Sequence, residues 1–189
     1  MMKKLLCLLC ILMLCSCSGT KDTPQYTYDI VSDKVDMSAY PGVSSTNHNF
    51  RLVGISQLFN VIDNKSSAIF YLGRSNCNCC QKVCRYINEV AQELDVTVYY
   101  IDAYNEAEPL TQEIMDRMKE YLSDILSENE EGEKVLLTPH VFTVINGKPQ
   151  MGQICYDDLD FDYEPTQAQI DTLKDVYRNI MKPFSTNKS

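Results

Sequence analysis

Nine cysteines occur in this chain of 189 residues, and four of them lie close together at positions 77, 79, 80 and 84. Within that cluster, Cys77 and Cys80 are separated by two residues, a spacing that suits a reversible dithiol/disulfide pair. A short apolar run, residues 68–72, precedes the cluster, and an apolar pattern of helical period follows it. The pair is therefore predicted at the carboxyl end of a buried strand and the start of a helix.

The start of a helix favours thiolate chemistry at Cys77. Unpaired N–H groups and the helix dipole at that point stabilise a thiolate over a thiol. A lowered pKa makes Cys77 the attacking sulfur and a good leaving group, whereas Cys80, one turn inside the helix, can resolve a mixed disulfide. Thiol–disulfide exchange by this pair is predicted, with no cofactor.

The remaining cysteines and one histidine leave alternatives open. Cys80 and Cys84 share a helical face and Cys79 adjoins Cys80, so a rival disulfide or a blocked thiol could form there. Cys84 and Cys155 are also typical of small buried residues. His140 could tune the dithiol electrostatically, or it could serve only as a local hydrogen-bonding residue. Cys79, Cys84 and His140 are therefore candidate modulators of the dithiol.

A metal site is a separate alternative. The four clustered cysteines and His140 could supply soft ligands to zinc or copper(I). The sequence has no second, separated C-x-x-C pair of the kind that completes many zinc sites. No metal is therefore predicted, and a metal carrier that uses the cysteine cluster is kept as an alternative function.

Hydrophobic periodicity and turn signals predict the elements that position these residues. The first predicted elements are a short helix capped by Ser56 and ending near residue 64, a strand at 68–72, a helix at 78–94 and a strand at 96–101. A helix at 110–126 follows, and then two strands, at 141–145 and 150–156, that are joined by Asn146-Gly147. A last helix starts with a capping box at Thr166. This order is typical of an α/β layout in which helices cover both faces of a mixed sheet.

The first eighteen residues have the zones of a secretory signal. Two lysines precede an apolar run, residues 5–14, that is too short for a permanent membrane span. The end of the run, Leu14-Cys15-Ser16-Cys17, resembles the bacterial lipoprotein box, with Cys17 as the lipidated cysteine; Cys15 fits less well because bulky Leu14 precedes it. The resemblance implies cleavage after Ser16, a diacylglycerol anchor on Cys17, and a body outside the cytoplasm. A plain cleaved signal is the alternative.

Composition bounds the rest of the chain. The predicted divisions are a signal at 1–16, a lipidated cysteine and polar tether at 17–49, one domain at 50–182, and a tail at 183–189. A net charge of -9 and a pI near 4.7 argue against binding to nucleic acid. The sequence contains neither a G-x-S-x-G motif nor a glycine-rich phosphate loop, which argues against hydrolase and kinase chemistry.

One arrangement of residues resembles a known superfamily. A strand, then Gly73-Arg74-Ser75-Asn76-Cys77-x-x-Cys80, a helix, and later Thr138-Pro139 before the hairpin look like the thioredoxin superfamily over about residues 50–181. The resemblance implies a thioredoxin-like fold, a three-layer α/β/α structure with a mixed central sheet and a helical insert before the cis-proline strand. It also implies that Pro139 is a cis-proline facing the dithiol and that the Thr138 backbone pairs with an extended substrate chain.

The sequence also departs from thioredoxin. Asn78 and Cys79 replace the usual Gly-Pro, tryptophan is absent, and Tyr71 stands at the strand position where thioredoxins carry a buried acid. The Gly-Arg lead-in, the strand end at 99–102 and the helical insert are similar to the bacteriocin transport accessory lipoproteins of Gram-positive bacteria.

The expected function combines these features. It is an extracytoplasmic oxidoreductase, anchored to the cell membrane at Cys17, that exchanges disulfides with secreted or envelope proteins and is recharged by an unidentified redox partner. The alternatives are a redox-inactive binding or secretion-accessory module and the metal carrier described above.

Overall fold

A six-stranded mixed sheet forms the centre of the protein. The computed structural model describes residues 30–32, 35–106, 109–153 and 164–185. In chain order, the elements are β1 (Ile30–Ser32), β2 (Phe50–Val53), α1 (Ile55–Asp63), β3 (Ala68–Gly73), α2 (Asn78–Glu93), β4 (Val98–Asp102), α3 (Gln112–Tyr121), β5 (His140–Ile145), β6 (Lys148–Gln153), α4 (Gln167–Met181) and a short 3₁₀ turn (Lys182–Phe184).

The strand order across the sheet is β1-β2-β4-β3-β5-β6. Strands β2, β4 and β3 run parallel to one another, while β5 is antiparallel to β3 and β6 is antiparallel to β5. All six residues of β3 are buried, as expected for a strand with a near-continuous apolar run at the middle of a covered sheet. The end of β3, where the cysteine cluster begins, therefore lies between the neighbouring ends of β4 and β5.

Helices cover both faces of this sheet. On one face, α2 and α4 pack with Ile69 and Tyr71 of β3, and on the other face α1 and α3 pack with Phe70 and Leu72. Successive residues of a strand point to opposite faces, so β3 contributes to both cores. The predicted three-layer α/β/α arrangement, with a mixed sheet and a helical insert ahead of β5, is confirmed.

The helix ends agree with the predictions in part. Thr166 caps α4 with a complete capping box, as predicted. The predicted cap at Ser56 is wrong, because Gly54 is the N-cap residue of α1 and Ser56 lies inside the helix. Helix α3 is shorter than predicted: the Thr111 side chain caps it by accepting a hydrogen bond from the Ile114 N–H, and residues 122–125 continue only as turns.

The hairpin follows its turn signal. Asn146 and Gly147 have φ values of 52° and 76°, the left-handed conformations that a tight turn between twisted strands requires. Strand β6 begins at Lys148, directly after this turn and earlier than predicted. The last residues of the predicted strand, 154–156, lie outside the described residues.

The fold extends into the predicted tether. Strand β1 pairs antiparallel with β2, and Val35, Met37 and Tyr40 are buried in the core beside α2. These apolar residues belong to no sustained helix or strand period, so local sequence patterns did not place them. The predicted signal segment and Cys17 lie outside the described residues. Among the helices that the structure describes, none has the length and apolar character needed to cross a bilayer.

Candidate active site

The turn after β3 positions Cys77 as the first residue of the site. The Cys77 N–H donates to the Arg74 carbonyl oxygen at 3.3 Å, which closes a tight turn between β3 and α2. Cys77 is the N-cap of α2, and its Sγ accepts a hydrogen bond from the Cys80 backbone N–H at 3.3 Å. The Gln81 side chain donates to the Ser75 carbonyl at 2.6 Å and secures the turn. The sulfur thus occupies the place where a helix N-terminus favours an anion.

The two sulfurs of the pair have opposite pKa shifts. Partial burial would raise the pKa of Cys77, but hydrogen bonds from Cys80, Arg74 and Thr138 outweigh it and lower the pKa below its usual value. Cys80 is fully buried, and burial together with its hydrogen bond to Cys77 raises its pKa to about 12. The accessible Cys77 sulfur therefore forms a thiolate more readily than Cys80, and the buried Cys80 sulfur stays protonated at neutral pH.

The loop before β5 closes the site from the other side. The Thr138–Pro139 peptide bond is cis, as the resemblance implied. Cys77 Sγ lies 3.8 Å from the Thr138 carbonyl oxygen, to which its thiol donates. The structure therefore brings together Cys77, Cys80, Thr138 and Pro139. Pairing of the Thr138 backbone with a substrate chain stays a prediction.

Arg74 contributes to the site in a way that the sequence analysis missed. Its interaction with the Cys77 sulfur lowers the pKa of that thiol. The guanidinium carbon also lies 5.8 Å from the centre of the Tyr104 ring. Within the described residues, Arg74 forms no ion pair with a carboxylate. A cation three residues before the attacking cysteine was the available signal, but the turn that directs its side chain to the sulfur is not visible in the sequence.

Replacing Arg74 with glutamine should raise the pKa of Cys77. Loss of the cation removes an interaction that favours the thiolate, so the pH midpoint for alkylation of Cys77 moves upward and the alkylation rate at neutral pH falls. The rate of iodoacetamide labelling at Cys77, measured against pH by peptide mass spectrometry, reports the shift. Arg117→Gln on α3 is the matched control and should leave the profile unchanged. An unchanged profile in Arg74→Gln would show that Arg74 does not lower the pKa of Cys77.

Tyrosine side chains fill the core beneath the dithiol. Tyr71 is fully buried, stacks on Tyr100 with ring centroids 5.4 Å apart, and meets Tyr40 edge to face at 6.5 Å. The Tyr40 and Tyr100 hydroxyls are 2.8 Å apart. Burial raises the pKa of Tyr71 well above its usual value, so the ring stays neutral. The strand position beneath Cys80 and Cys84 therefore supplies no negative charge.

The other clustered cysteines have distinct states. Cys84 is free and fully buried, and burial raises its pKa well above the usual value, which agrees with a small core residue. Cys79 is disulfide-bonded, and its partner is none of Cys77, Cys80 and Cys84, which are free. A cysteine in a disulfide provides no thiolate to a metal, and within the described ranges no three His, Cys, Asp or Glu residues are grouped to hold one. Cys155 lies outside the described residues.

His140 lies away from the buried sulfurs. It is fully buried in β5, and its ring contacts Phe142 at 5.1 Å on the face covered by α1 and α3. Cys80 and Cys84 pack on the opposite face, with α2 and α4. In the part of the chain that the structure describes, neither ring nitrogen of His140 has a hydrogen-bond partner. Burial lowers its pKa to about 4.

Acid should destabilise the fold through His140. The unfolded state binds a proton below pH 6.5 and the folded state only below about pH 4, so stability falls as the pH drops through this window. The loss approaches about 3 kcal/mol. Urea unfolding between pH 7 and 4 should therefore show a shallower pH dependence in His140→Leu than in the unaltered protein. His48→Leu, at a partly exposed ring, is the control; a slope as steep in His140→Leu as in that control would assign the acid sensitivity to other groups.

Comparisons with known proteins find similar solved structures, all at low sequence identity. No family profile matches the chain, and no curated protein matches its sequence. Thioredoxin O2 from Arabidopsis thaliana in its oxidized state is similar at 16% identity and a TM-score of 0.44, over 74% of this chain and 96% of that one. Thioredoxin from Trypanosoma brucei brucei is similar at 17% identity and a TM-score of 0.42, over 74% and 98%. The first thioredoxin domain of mouse protein disulfide-isomerase A4 is similar at 11% identity and a TM-score of 0.39, over 76% of this chain and 81% of that domain.

The chain's own geometry defines its fold. The mixed sheet with β3 at its centre, the C-x-x-C pair at the start of α2 and the cis-proline before β5 together make a thioredoxin-like fold. The site has the parts of a dithiol centre: one accessible sulfur with a lowered pKa and one buried sulfur with a raised pKa.

Proposed function

We propose that this protein is a thiol–disulfide oxidoreductase in which Cys77 attacks and Cys80 resolves. The observation that carries the proposal is the difference in burial and in pKa between the two sulfurs, at a site that the cis-proline loop closes. Cys77 is partly accessible and its pKa is lowered, whereas Cys80 is fully buried and its pKa is raised to about 12. An exchange centre needs this division between an attacking and a resolving sulfur.

The reaction follows from these positions. The Cys77 thiolate attacks one sulfur of a substrate disulfide, a Cys77–substrate disulfide forms, and the other substrate sulfur leaves as a thiolate. The Cys80 proton passes to the released substrate thiolate, and Cys80 attacks Cys77 Sγ. The bond between Cys77 and the substrate breaks, the Cys77–Cys80 disulfide forms, and the second substrate sulfur leaves as a thiolate. The substrate is reduced and the dithiol is oxidised by two electrons. The opposite direction uses the same steps in reverse, and the partner that recharges the dithiol determines which direction operates.

The proposed location is the outer face of the cell membrane. The lysines and apolar run at the start of the chain, followed by the lipoprotein-box pattern at Cys17, support secretion and a lipid anchor. In that compartment the substrates are secreted or envelope proteins, which commonly carry disulfides. The similarity of the sequence pattern to bacteriocin transport accessory lipoproteins supports a narrower role at such an export step.

A redox-inactive binding module is the second candidate. The neutral Tyr71 in place of a buried acid favours it, because no carboxylate at that strand position accepts the proton of Cys80 during resolution. In this role the cleft beside Thr138 would hold a polypeptide without exchanging a disulfide.

A redox titration of the full-length chain in detergent separates the two candidates. The protein is equilibrated across a series of reduced and oxidised dithiothreitol mixtures, free thiols are trapped with a mass-adding alkylator, and disulfides are mapped by peptide mass spectrometry. A reversible Cys77–Cys80 couple is the expected result. Thiols at both positions that stay unpaired across the series, or that pair elsewhere, would contradict the oxidoreductase and favour the binding module.

A further inference from the structure

An apolar groove runs beside the dithiol. Its volume is about 360 Å³, and its walls come from the ends of β3 and β4, from α3 with the residues before it, and from the loop before β5. The lining residues are Leu72, Arg74, Ala103, Tyr104, Leu110, Met115, Leu136, Leu137 and Thr138.

Two exposed side chains make this surface unusual. Tyr104 is 58% exposed and Leu137 is 48% exposed, and these are the only large hydrophobic residues exposed to this degree among the residues described. Both line the same groove. Scattered apolar residues are common on protein surfaces, but two that flank one apolar groove indicate a binding surface.

The groove adjoins the attacking sulfur through residues that line it. Thr138 lines the groove, and its carbonyl oxygen lies 3.8 Å from Cys77 Sγ. Arg74 lines the groove as well, and its carbonyl oxygen accepts a hydrogen bond from the Cys77 N–H at 3.3 Å. A polypeptide whose cysteine sulfur reaches Cys77 therefore has its neighbouring side chains at the groove mouth.

The charge of the lining selects among side chains. Arg74 is the one ionisable lining residue that carries a full charge at neutral pH, and the described structure gives it no carboxylate partner. A lysine or arginine entering the groove would meet this cation and lose its own hydration, which is costly. A leucine-sized side chain instead gains burial against the apolar walls.

We propose that this groove, formed by Leu110, Met115 and Leu137 with Arg74 at its mouth, binds a bulky apolar side chain adjacent to the reactive cysteine of a polypeptide substrate and rejects a basic one. The inference rests on the proposed function, because the groove matters only while Cys77 reacts with a polypeptide cysteine. The connection between β4 and β5, which carries α3 and residues 122–137, supplies most of the apolar wall. This connection is therefore the specificity element of the chain.

Single-turnover exchange with matched peptides tests the proposal. The probes are Ala-X-Cys-X-Ala peptides joined through their cysteine to thionitrobenzoate, with X as Leu, Gly or Lys. Attack of Cys77 on the peptide sulfur breaks that disulfide and releases the coloured thionitrobenzoate anion, which is followed by stopped-flow absorbance. The protein is the reduced full-length chain in detergent. Rates are divided by those of free glutathione with each peptide, and the rate of Cys77→Ser is subtracted.

The expected order is Leu first, with a relative rate about tenfold or more above Gly, and Lys no faster than Gly. Leu137→Ser should remove most of the preference for Leu, measured as the ratio of the Leu rate to the Gly rate within that variant. Reaction of the unaltered protein with the small disulfide of thionitrobenzoate reports the exchange reaction itself. Because Leu137 is half exposed, this substitution leaves the buried cores intact. Ile170→Ser on α4, across the sheet, is the matched control and should keep the preference.

Other outcomes overturn one proposal or the other. Equal relative rates for the three peptides, or a preference for Leu that survives Leu137→Ser, would overturn the groove as the specificity site while exchange itself stands. Faster reaction with Lys than with Leu would overturn it too. No exchange with the small disulfide or with any peptide would instead contradict the oxidoreductase.

Discussion

Replacing Cys80 with serine should convert the protein into a trap for its disulfide substrate. Cys77 keeps its position as N-cap and still attacks, but no buried sulfur remains to resolve the mixed disulfide, which therefore accumulates as a covalent adduct. Replacing Cys77 with serine should lower exchange by about a thousandfold or more, because a hydroxyl at neutral pH supplies almost no anionic nucleophile. Intact-mass spectrometry after mixing each reduced variant with a peptide disulfide measures both effects.

Cys84→Ala is the control for this pair. Cys84 is buried next to the resolving sulfur, yet burial raises its pKa and keeps its thiol protonated, so the variant should exchange disulfides at the rate of the unaltered protein. A stable adduct in the Cys77→Ser variant, or a rate loss in Cys84→Ala as large as that in Cys80→Ser, would reverse the assigned roles.

The second large effect should come from Gly147 in the hairpin turn. Its φ is 76°, and an added Cβ would lie 2.5 Å from the Ile62 carbonyl oxygen and 2.8 Å from the Lys65 Cα. Its N–H also donates to the Ser66 carbonyl at 2.8 Å, so this turn is held against the end of α1. Gly147→Ala must therefore bear left-handed strain and displace backbone atoms. We expect a loss of about 3 kcal/mol or more in the free energy of unfolding.

Gly132 provides a matched comparison. Its φ is 79°, almost the same conformation, but an added Cβ there meets no atom within 4 Å. Gly132→Ala should thus cost only the conformational strain, about 1 kcal/mol. Urea midpoints at constant slope measure the two losses. Equal losses in the free energy of unfolding would show that the turn after β5 moves to accommodate the added Cβ and that its contact with α1 contributes little to stability.

Local patterns predicted much of the fold and the centre of the site. The apolar run of β3 and the helical period after it placed Cys77 and Cys80 at a strand–helix junction. Asn146-Gly147 and Thr166 marked the hairpin and the last helix, because positive φ angles and capping hydrogen bonds depend on residues adjacent in sequence. The resemblance to thioredoxins, and not the local pattern, supplied the cis-proline at position 139.

Contacts between distant segments could not be predicted in this way. Tyr40 and Tyr100 are sixty residues apart and share a hydrogen bond, which placed part of the predicted tether in the core. The approach of Thr138 to Cys77, the direction of the Arg74 side chain and the separation of His140 from the buried sulfurs all depend on strand order and on which face of the sheet a residue occupies. The apolar groove has the same origin, since its walls come from four segments that meet only when β3, β4 and β5 are side by side. Periodicity and capping act over a few residues and can be read along the chain, whereas burial, pKa and groove shape arise from neighbours in space that only the folded sheet brings together.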